Sequence, residues 1–397
     1  MTHKTLTNPR YLEAVRERVM VFDGAMGTSL QKQNLTAADF GGERTNGCND
    51  YLVLTKPSAV EAVHRSFLEA GADVLETDTF RANRLTLNEY GLSSQTRAIN
   101  QAAARLARRL ADEFSAATGQ PRFVAGSIGP TGKLPSMSDP ELSDITYDEL
   151  AEIFREQANG LLEGGVDLLL IETSQDILEV KAAVRGCQLA FADSSISVPI
   201  QTQVTLDTTG RMLLGTDISA VLTILEDIGV DVIGLNCSTG PDFMREPIRY
   251  LGENSSLPVS CIPNAGLPLN VDGQAVYPMT PEPFSNELAE FVQKYHVNIV
   301  GGCCGTTPEH IRLLAEKVRG TSVQPRPENQ TPRLASAVQA QPMVQEPAPF
   351  LIGERLNTQG SSKFKQLILA EDFDSAVEIA RSQVDAGAHG LDLCTAL

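Results

Sequence analysis

Two adjacent cysteines, Cys303 and Cys304, sit in the stretch GGCCGTTP at 301–308, and a third, Cys237, closes the stretch VDVIGLNC. Three thiols with no histidine among them suit a borderline-soft ion such as Zn2+, which takes thiolates in a tetrahedron. Three protein ligands leave one corner open, as a reactive metal requires. A free thiol of pKa near 8.5 is only about 3% ionised at neutral pH, whereas a metal-bound thiol is deprotonated. Another thiol is therefore the natural guest. Carboxylates at Asp23, Asp78 and Glu172 suit a cationic ammonium, and the backbone of GAMG (24–27, with Gly24 and Ala25) or of GSIGPTG (126–132, with Ser127) suits a carboxylate. An amino acid bearing a thiol satisfies both. The competing reading is plainer: cysteines are common core residues, and a loop carboxylate is usually solvated.

Residues so far apart in the chain need a frame that gathers them on one rim. From 19 to 320, short apolar runs alternate with amphipathic helical stretches. The runs are 19–28, 72–80, 122–130, 166–174, 198–206, 230–238, 257–266 and 297–305. Eight strand-then-helix units of this size predict an α/β fold, a (β/α)8 TIM barrel, whose chemistry sits at the C-terminal ends of the strands. A doubly wound open sheet is the alternative, but no G-x-G-x-x-G turn follows the first run.

A repeat sharpens the frame. AGADVLETDT, GGVDLLLIET, IGVDVIGLNC and YHVNIVGGCC introduce the second, fourth, sixth and eighth strands. Aligned on Asp73, Asp167, Asp231 and Asn298, the positions five and six further on are Asp78 and Thr79, Glu172 and Thr173, Asn236 and Cys237, and Cys303 and Cys304. Alternate barrel strands feed the same side-chain layer, so the repeat predicts one polar ring of carboxylates and thiols. Gly301, Gly302 and Gly305 allow the backbone path by which two neighbours reach one ion. Thr307 and Pro308 read as N-cap and first position of the next helix.

Composition bounds the partners. A formal net charge of −18 argues against nucleic acid or an anionic membrane as partner. The polar N-terminus and seven scattered cysteines predict a cytoplasmic protein without a disulfide framework. Cys48, Cys187, Cys261 and Cys394 fall outside the ring and read as ordinary cysteines. Residues 321–349, rich in proline, read as a linker between a barrel at 1–320 and a second segment at 350–397. That segment restarts with FLIGERLN and is too short to close a barrel of its own.

The motifs DGAMGT, ETDTF, GSIGPTG, GLNC, PNAGLP and GGCCGTTP together resemble the homocysteine S-methyltransferase family over about residues 10–320. The resemblance implies that Cys237, Cys303 and Cys304 ligate Zn2+, with Asn264 a candidate fourth ligand when substrate is absent. It implies that Asp23 and Glu172 hold the amino group of homocysteine. Gly24, Ala25, Asp78, Ser127 and Asn236 join them as candidate substrate contacts, although members often carry Asn where this chain has Asp78. GERLNTQGS at 353–361 resembles the start of the pterin-binding (methyltetrahydrofolate) domain that follows in the cobalamin-dependent methionine synthase branch. Glu354, Arg355, Asn357 and Asp392 are then candidate pterin contacts, and the 350–397 segment is the start of a second α/β barrel. That branch implies methylcobalamin, carried on another domain, as methyl donor. A donor such as betaine or S-methylmethionine, and a non-catalytic barrel with structural zinc, are the alternatives.

Overall fold

The computed structural model describes residues 6–271, 273–328 and 331–396. It divides into two compact units, Met1–Glu328 and Asn329–Leu397. In the first, eight parallel strands form one sheet: β1 (Met20–Val21), β2 (Val74–Glu76), β3 (Phe123–Ile128), β4 (Leu168–Ser174), β5 (Ile200–Val204), β6 (Val232–Asn236), β7 (Val259–Ile262) and, after an antiparallel hairpin of β8 (Leu269–Val271) and β9 (Gln274–Val276), β10 (Ile299–Val300). Their order runs β1-β10-β7-β6-β5-β4-β3-β2, and a parallel bridge from Phe22 to Val74 closes the ring. All eight apolar runs read from the sequence become strands of this barrel.

Each crossover is a helix whose ends the sequence marks. Thr146 and Glu149 form a capping box ahead of the helix Tyr147–Gly164, which Gly165 ends in the left-handed region. Thr307 caps and Pro308 opens the helix Pro308–Val318, as predicted, with His310 completing the box.

Side chains alternate along the strands. Leu169 and Ile171 pack outward on the helices, whereas Leu168 and Leu170 join Met20, Phe22, Val74 and Val232 in a separate inner cluster. The helix Arg10–Glu17 contributes buried Tyr11 to that cluster, its hydroxyl donating to Gln201 Oε1 at 2.6 Å. A polar layer of Gln201, Gln203 and Ser260 lies buried beside it. The same alternation turns Glu76 and Glu172 inward, two and four residues after inner positions on their strands.

The four Asp and Asn residues that align the repeat have a structural task. Asp73 accepts the Val21 N–H at 3.1 Å, Asp167 that of Val124 at 2.9 Å, Asp231 that of Ile200 at 2.8 Å and Asn298 that of Val259 at 3.0 Å. Each clasps the strand before its own at the N-terminal end of the barrel. Arg18 pairs with Asp73 at 2.8 Å, and Arg108 pairs with Asp167.

The chain beyond 320 stays with the barrel as far as Glu328. Arg326 donates to the carbonyls of Leu251, Gly252, Ser255 and His296. In the second unit, β11 (Arg333–Ala335) and β12 (Ala340–Pro342) pair as an antiparallel hairpin inside the proline-rich stretch. There, β13 (Ile352–Asn357) and β14 (Gly390–Cys394) run parallel around two helices, with a small core of Leu356, Phe364 and Ala376.

Candidate metal and substrate site

The C-terminal mouth of the barrel opens on a cavity of about 1020 Å³. Cys237, Cys303 and Cys304 line it together. Cys237 lies just past β6, and the other two follow β10 in the turn to the last barrel helix. Cys304 Sγ stands 3.9 Å from Cys237 Sγ and 3.9 Å from Cys303 Sγ, and all three lie within 4.8 Å of one another. A zinc tetrahedron with bonds of about 2.3 Å has edges of about 3.8 Å, so the spacing is that of one face of such a site.

Backbone geometry fixes the trio. Cys303 N–H donates to Pro263 O at 2.8 Å, Cys304 N–H to Asn264 Oδ1 at 3.1 Å, and Ala265 N–H to Cys304 O at 3.0 Å. The segment after β7 thus splints the vicinal pair. Gly305 turns at φ +80°, and a Cβ there would lie 2.3 Å from Tyr277. Cys237 itself sits at φ +58° and Ser238 at +62°. Left-handed non-glycine residues cost about 1–3 kcal/mol each, and such strain gathers at functional sites.

The thiols share little charge. Hydrogen bonds from Cys237 and then Cys303, with help from Tyr277, push Cys304 down to about 3. Cys303 is pushed well up by hydrogen bonding to Cys237 and Cys304 and by burial. One stable thiolate among three is what crowding dictates without a cation, and a dication would let all three ionise.

Beside the thiols lies a carboxylate floor. Asp23, Glu76, Asp78 and Glu172 all line the cavity. Burial pushes each of them up: Glu172 to about 7, with Ser127 opposing and Cys304 adding, and Asp23 well up, with Glu172 adding. Glu76 rises through burial, Glu172 and Asp23, and Asp78 through burial and Asp50. Among the described residues none of the four meets Lys or Arg. Asp23 Oδ2 accepts the Glu76 N–H at 3.1 Å and lies 4.0 Å from His64 Nδ1, and burial holds His64 down near 4 and so neutral. Asp23 Oδ1 and Asp78 Oδ2 are buried with no hydrogen-bond partner among the described residues. Burial favours the protonated carboxyls, and a cationic guest would supply the charge that lets them ionise.

The remaining sequence-predicted residues divide. Ser127 donates to Glu172 Oε1 on the cavity wall, but Thr131 of the same motif turns away to Glu179. Gly24 and Ala25 line the cavity, and the Ala25 N–H is spent on Thr306 Oγ1 at 3.2 Å. A Cβ at Gly24 would meet the Phe67 ring at 2.6 Å. Asn236 is fully buried behind the wall, donating to Glu172 Oε2 at 3.0 Å and accepting from Thr173 N–H at 2.8 Å. Asn264 likewise stands behind Cys304. Thr79, in the predicted ring, points instead to Ser127 O. Cys261 packs against Met244 in the core, away from the trio, whereas Cys48 reaches the cavity wall as a buried thiol pushed up to about 12 by burial. In the second unit Glu354, Arg355 and Asp392 are exposed on β13 and β14, and Asn357 pairs in register with Cys394.

Sequence reasoning missed Glu76, His64 and Tyr277. Val74 and Glu76 share the inner face by period two, and that signal was available. Tyr277 follows a hairpin whose Asp-Gly dipeptide at 272–273 is itself a turn signal.

The described residues thus form a (β/α)8 barrel whose mouth brings a thiol trio beside buried carboxylates that meet no Lys or Arg among the described residues. The chain belongs to the homocysteine S-methyltransferase family, whose profile matches residues 20–318. It is 42% identical to the methionine synthase of Mycobacterium tuberculosis over 98% of its own length, and 43% identical to that of Mycobacterium leprae over 96%. The chain spans about a third of these relatives, 32% of each. The metallated homocysteine methyltransferase MmuM of Escherichia coli shares the fold, with a TM-score of 0.62 at 21% identity over 78% of this chain and 99% of that one. No helix among the described residues is long and apolar enough to cross a membrane.

Proposed function

We propose that this barrel binds Zn2+ through Cys237, Cys303 and Cys304 and methylates the thiol of homocysteine, giving methionine. The observation that carries the reading is the thiol trio, within 4.8 Å, beside four carboxylates that meet no Lys or Arg among the described residues. When bound, Zn2+ would supply the positive charge that keeps a substrate thiol deprotonated near neutral pH. The chain's own residues do the rest. Asp23, Glu76 and Glu172 hold the substrate ammonium, whose charge offsets their crowding. Asn236 and Ser127 orient Glu172 from behind, and the chain from Gly24 to Gly27 accommodates the substrate carboxylate. Ammonium and carboxylate so fixed aim the sulfur at the thiol trio, and orientation is worth more here than acidity. In the transfer the sulfur–hydrogen bond is lost to solvent as a proton, and a sulfur–carbon bond forms while the methyl leaves its donor.

The donor we assign is methylcobalamin, carried outside this chain and remade from methyltetrahydrofolate. Support comes from the likeness to methionine synthases three times as long and from the β13–β14 unit, read as the start of a pterin-binding barrel with Glu354, Arg355, Asn357 and Asp392 as contacts. The proline-rich stretch 321–349 is then the segment that joins the two, and reduced thiols fit a cytoplasmic setting. Zinc content and homocysteine affinity of the wild type and of Cys303→Ser test the site. A zinc-free wild type, or affinity unchanged in the variant, sinks it. Assays with methylcobalamin, betaine and S-methylmethionine test the donor, and turnover with either of the last two alone would replace it.

A further inference from the structure

At the N-terminal end of the barrel, Arg18, Arg122 and Arg319 border a second cavity, of about 470 Å³, with Gln120 and Thr321 also on its wall. Asp73 is the one carboxylate among the described residues lining it. Its Oδ2 already accepts from Arg18 at 2.8 Å and from Val21 N–H at 3.1 Å, and its Oδ1 lies 3.5 Å from Arg122 Nη1. Three guanidinium charges therefore face one carboxylate. Among the described residues Arg18 Nη2 and Arg122 Nε are buried donors without an acceptor, and Arg319 makes no ion pair. Burial first, and then the charges of Arg18 and Arg319, hold the Arg122 guanidinium below its usual range against the pull of Asp73. In a chain of net charge −18 such a cluster is not a product of overall composition.

A buried donor without an acceptor is costly, and like charges around a cavity add to that cost. An oxyanion with several acceptor lone pairs removes both, and the planar fork of arginine matches phosphate oxygens. We propose that this cavity binds a doubly charged phosphate group, as inorganic phosphate or as the end of a phosphomonoester. Arg18 precedes β1, Arg122 precedes β3, and Arg319 ends the last barrel helix, so the anion ties the first strand to the last helix where the barrel closes. The thiol site lies at the opposite mouth, and this site works independently of it.

The test is calorimetric titration of the full chain with sodium phosphate and, separately, glycerol phosphate, against sodium chloride at matched ionic strength. Saturable binding to one site is expected for phosphate, with a raised thermal midpoint; saturation by glycerol phosphate as well identifies an ester as an acceptable source. Arg319→Gln, an exposed position, should weaken binding roughly tenfold, and Arg122→Gln should abolish it. Zinc binding at the thiols stays unchanged in Arg319→Gln. No saturable heat in the wild type with either ligand, or equal affinity in Arg319→Gln, overturns the site. Should Arg122→Gln fail to fold, Arg319→Gln decides.

Discussion

The two ends of one barrel use carboxylates in opposite ways. At the N-terminal end Asp73, Asp167 and Asp231 each accept a backbone N–H from the strand before, and the first two also meet arginine. At the C-terminal mouth Asp23, Glu76, Asp78 and Glu172 are crowded, buried and without a basic partner among the described residues. The first arrangement stabilises the fold; the second costs stability and is only worthwhile if a cation arrives. Asp73 with Asp78, and Asp167 with Glu172, write one carboxylate for each end in the same repeated phrase, five residues apart.

The largest effect expected is at the thiols. Cys303→Ser or Cys237→Ala should lower zinc affinity and methyl transfer at least about a hundredfold, more than loss of a ligand's supporting partner usually costs. Dialysis against a chelator followed by metal analysis reads this. Retention of stoichiometric zinc by either variant breaks the comparison at its strongest point.

Next come single substitutions at the two ends. Glu172→Gln should raise the homocysteine KM roughly 10- to 100-fold, the range of one charge-assisted hydrogen bond, with little loss of stability. Asp73→Ala should do the reverse, leaving KM alone and destabilising the chain by about 2–4 kcal/mol in urea unfolding. Equal effects on stability from both would erase the distinction.

The pH dependence follows from the same crowding. Glu172 titrates near 7 in the fold and near 4.5 when unfolded, so the folded state binds the extra proton between these values. Its contribution is therefore fully present below about 4.5 and is lost as pH rises toward about 7, a fall of up to roughly 3 kcal/mol from this group alone. Unfolding free energies of the metal-free chain at pH 5 and 8 should show a steeper fall in the wild type than in Glu172→Gln. Identical slopes would mean that the floor is not crowded.

The smallest effect belongs to Asp78, whose Oδ2 is buried without a partner among the described residues. Asp78→Asn should raise the thermal midpoint slightly, by about 1 kcal/mol in stability, with KM changed less than about threefold. A large loss of affinity would promote Asp78 to a substrate contact.

Much of this was legible in the residues. The eight runs gave the barrel because each is a short buried apolar stretch set between helical ones, and the repeat gathered Cys237, Cys303 and Cys304 because alternate strands share a layer. Of the positions the repeat marks, Thr79 and Asn236 do not face the cavity. The repeat chose positions five and six uniformly, yet β2 ends at Glu76 and the chain then bends, so Glu76 lines the mouth while Thr79 turns to Ser127 O. Asn236 was placed at the right height but serves Glu172 from behind. The clasping role of Asp73, Asp167, Asp231 and Asn298 depends on register between strands, which no single strand encodes. Tyr277 comes from an inserted hairpin that owes nothing to barrel periodicity. Proline content at 321–349 concealed the short hairpin of β11 and β12, since proline is tolerated at the edges of such pairs.

X-ray absorption at the zinc edge, on the loaded chain with and without homocysteine, tests the central claim most directly. Three sulfur neighbours and one lighter atom should become four sulfur neighbours when homocysteine is added. A zinc shell that already holds four sulfurs, or that does not change on adding homocysteine, would contradict the reading of the mouth as an open-cornered site for a thiol substrate.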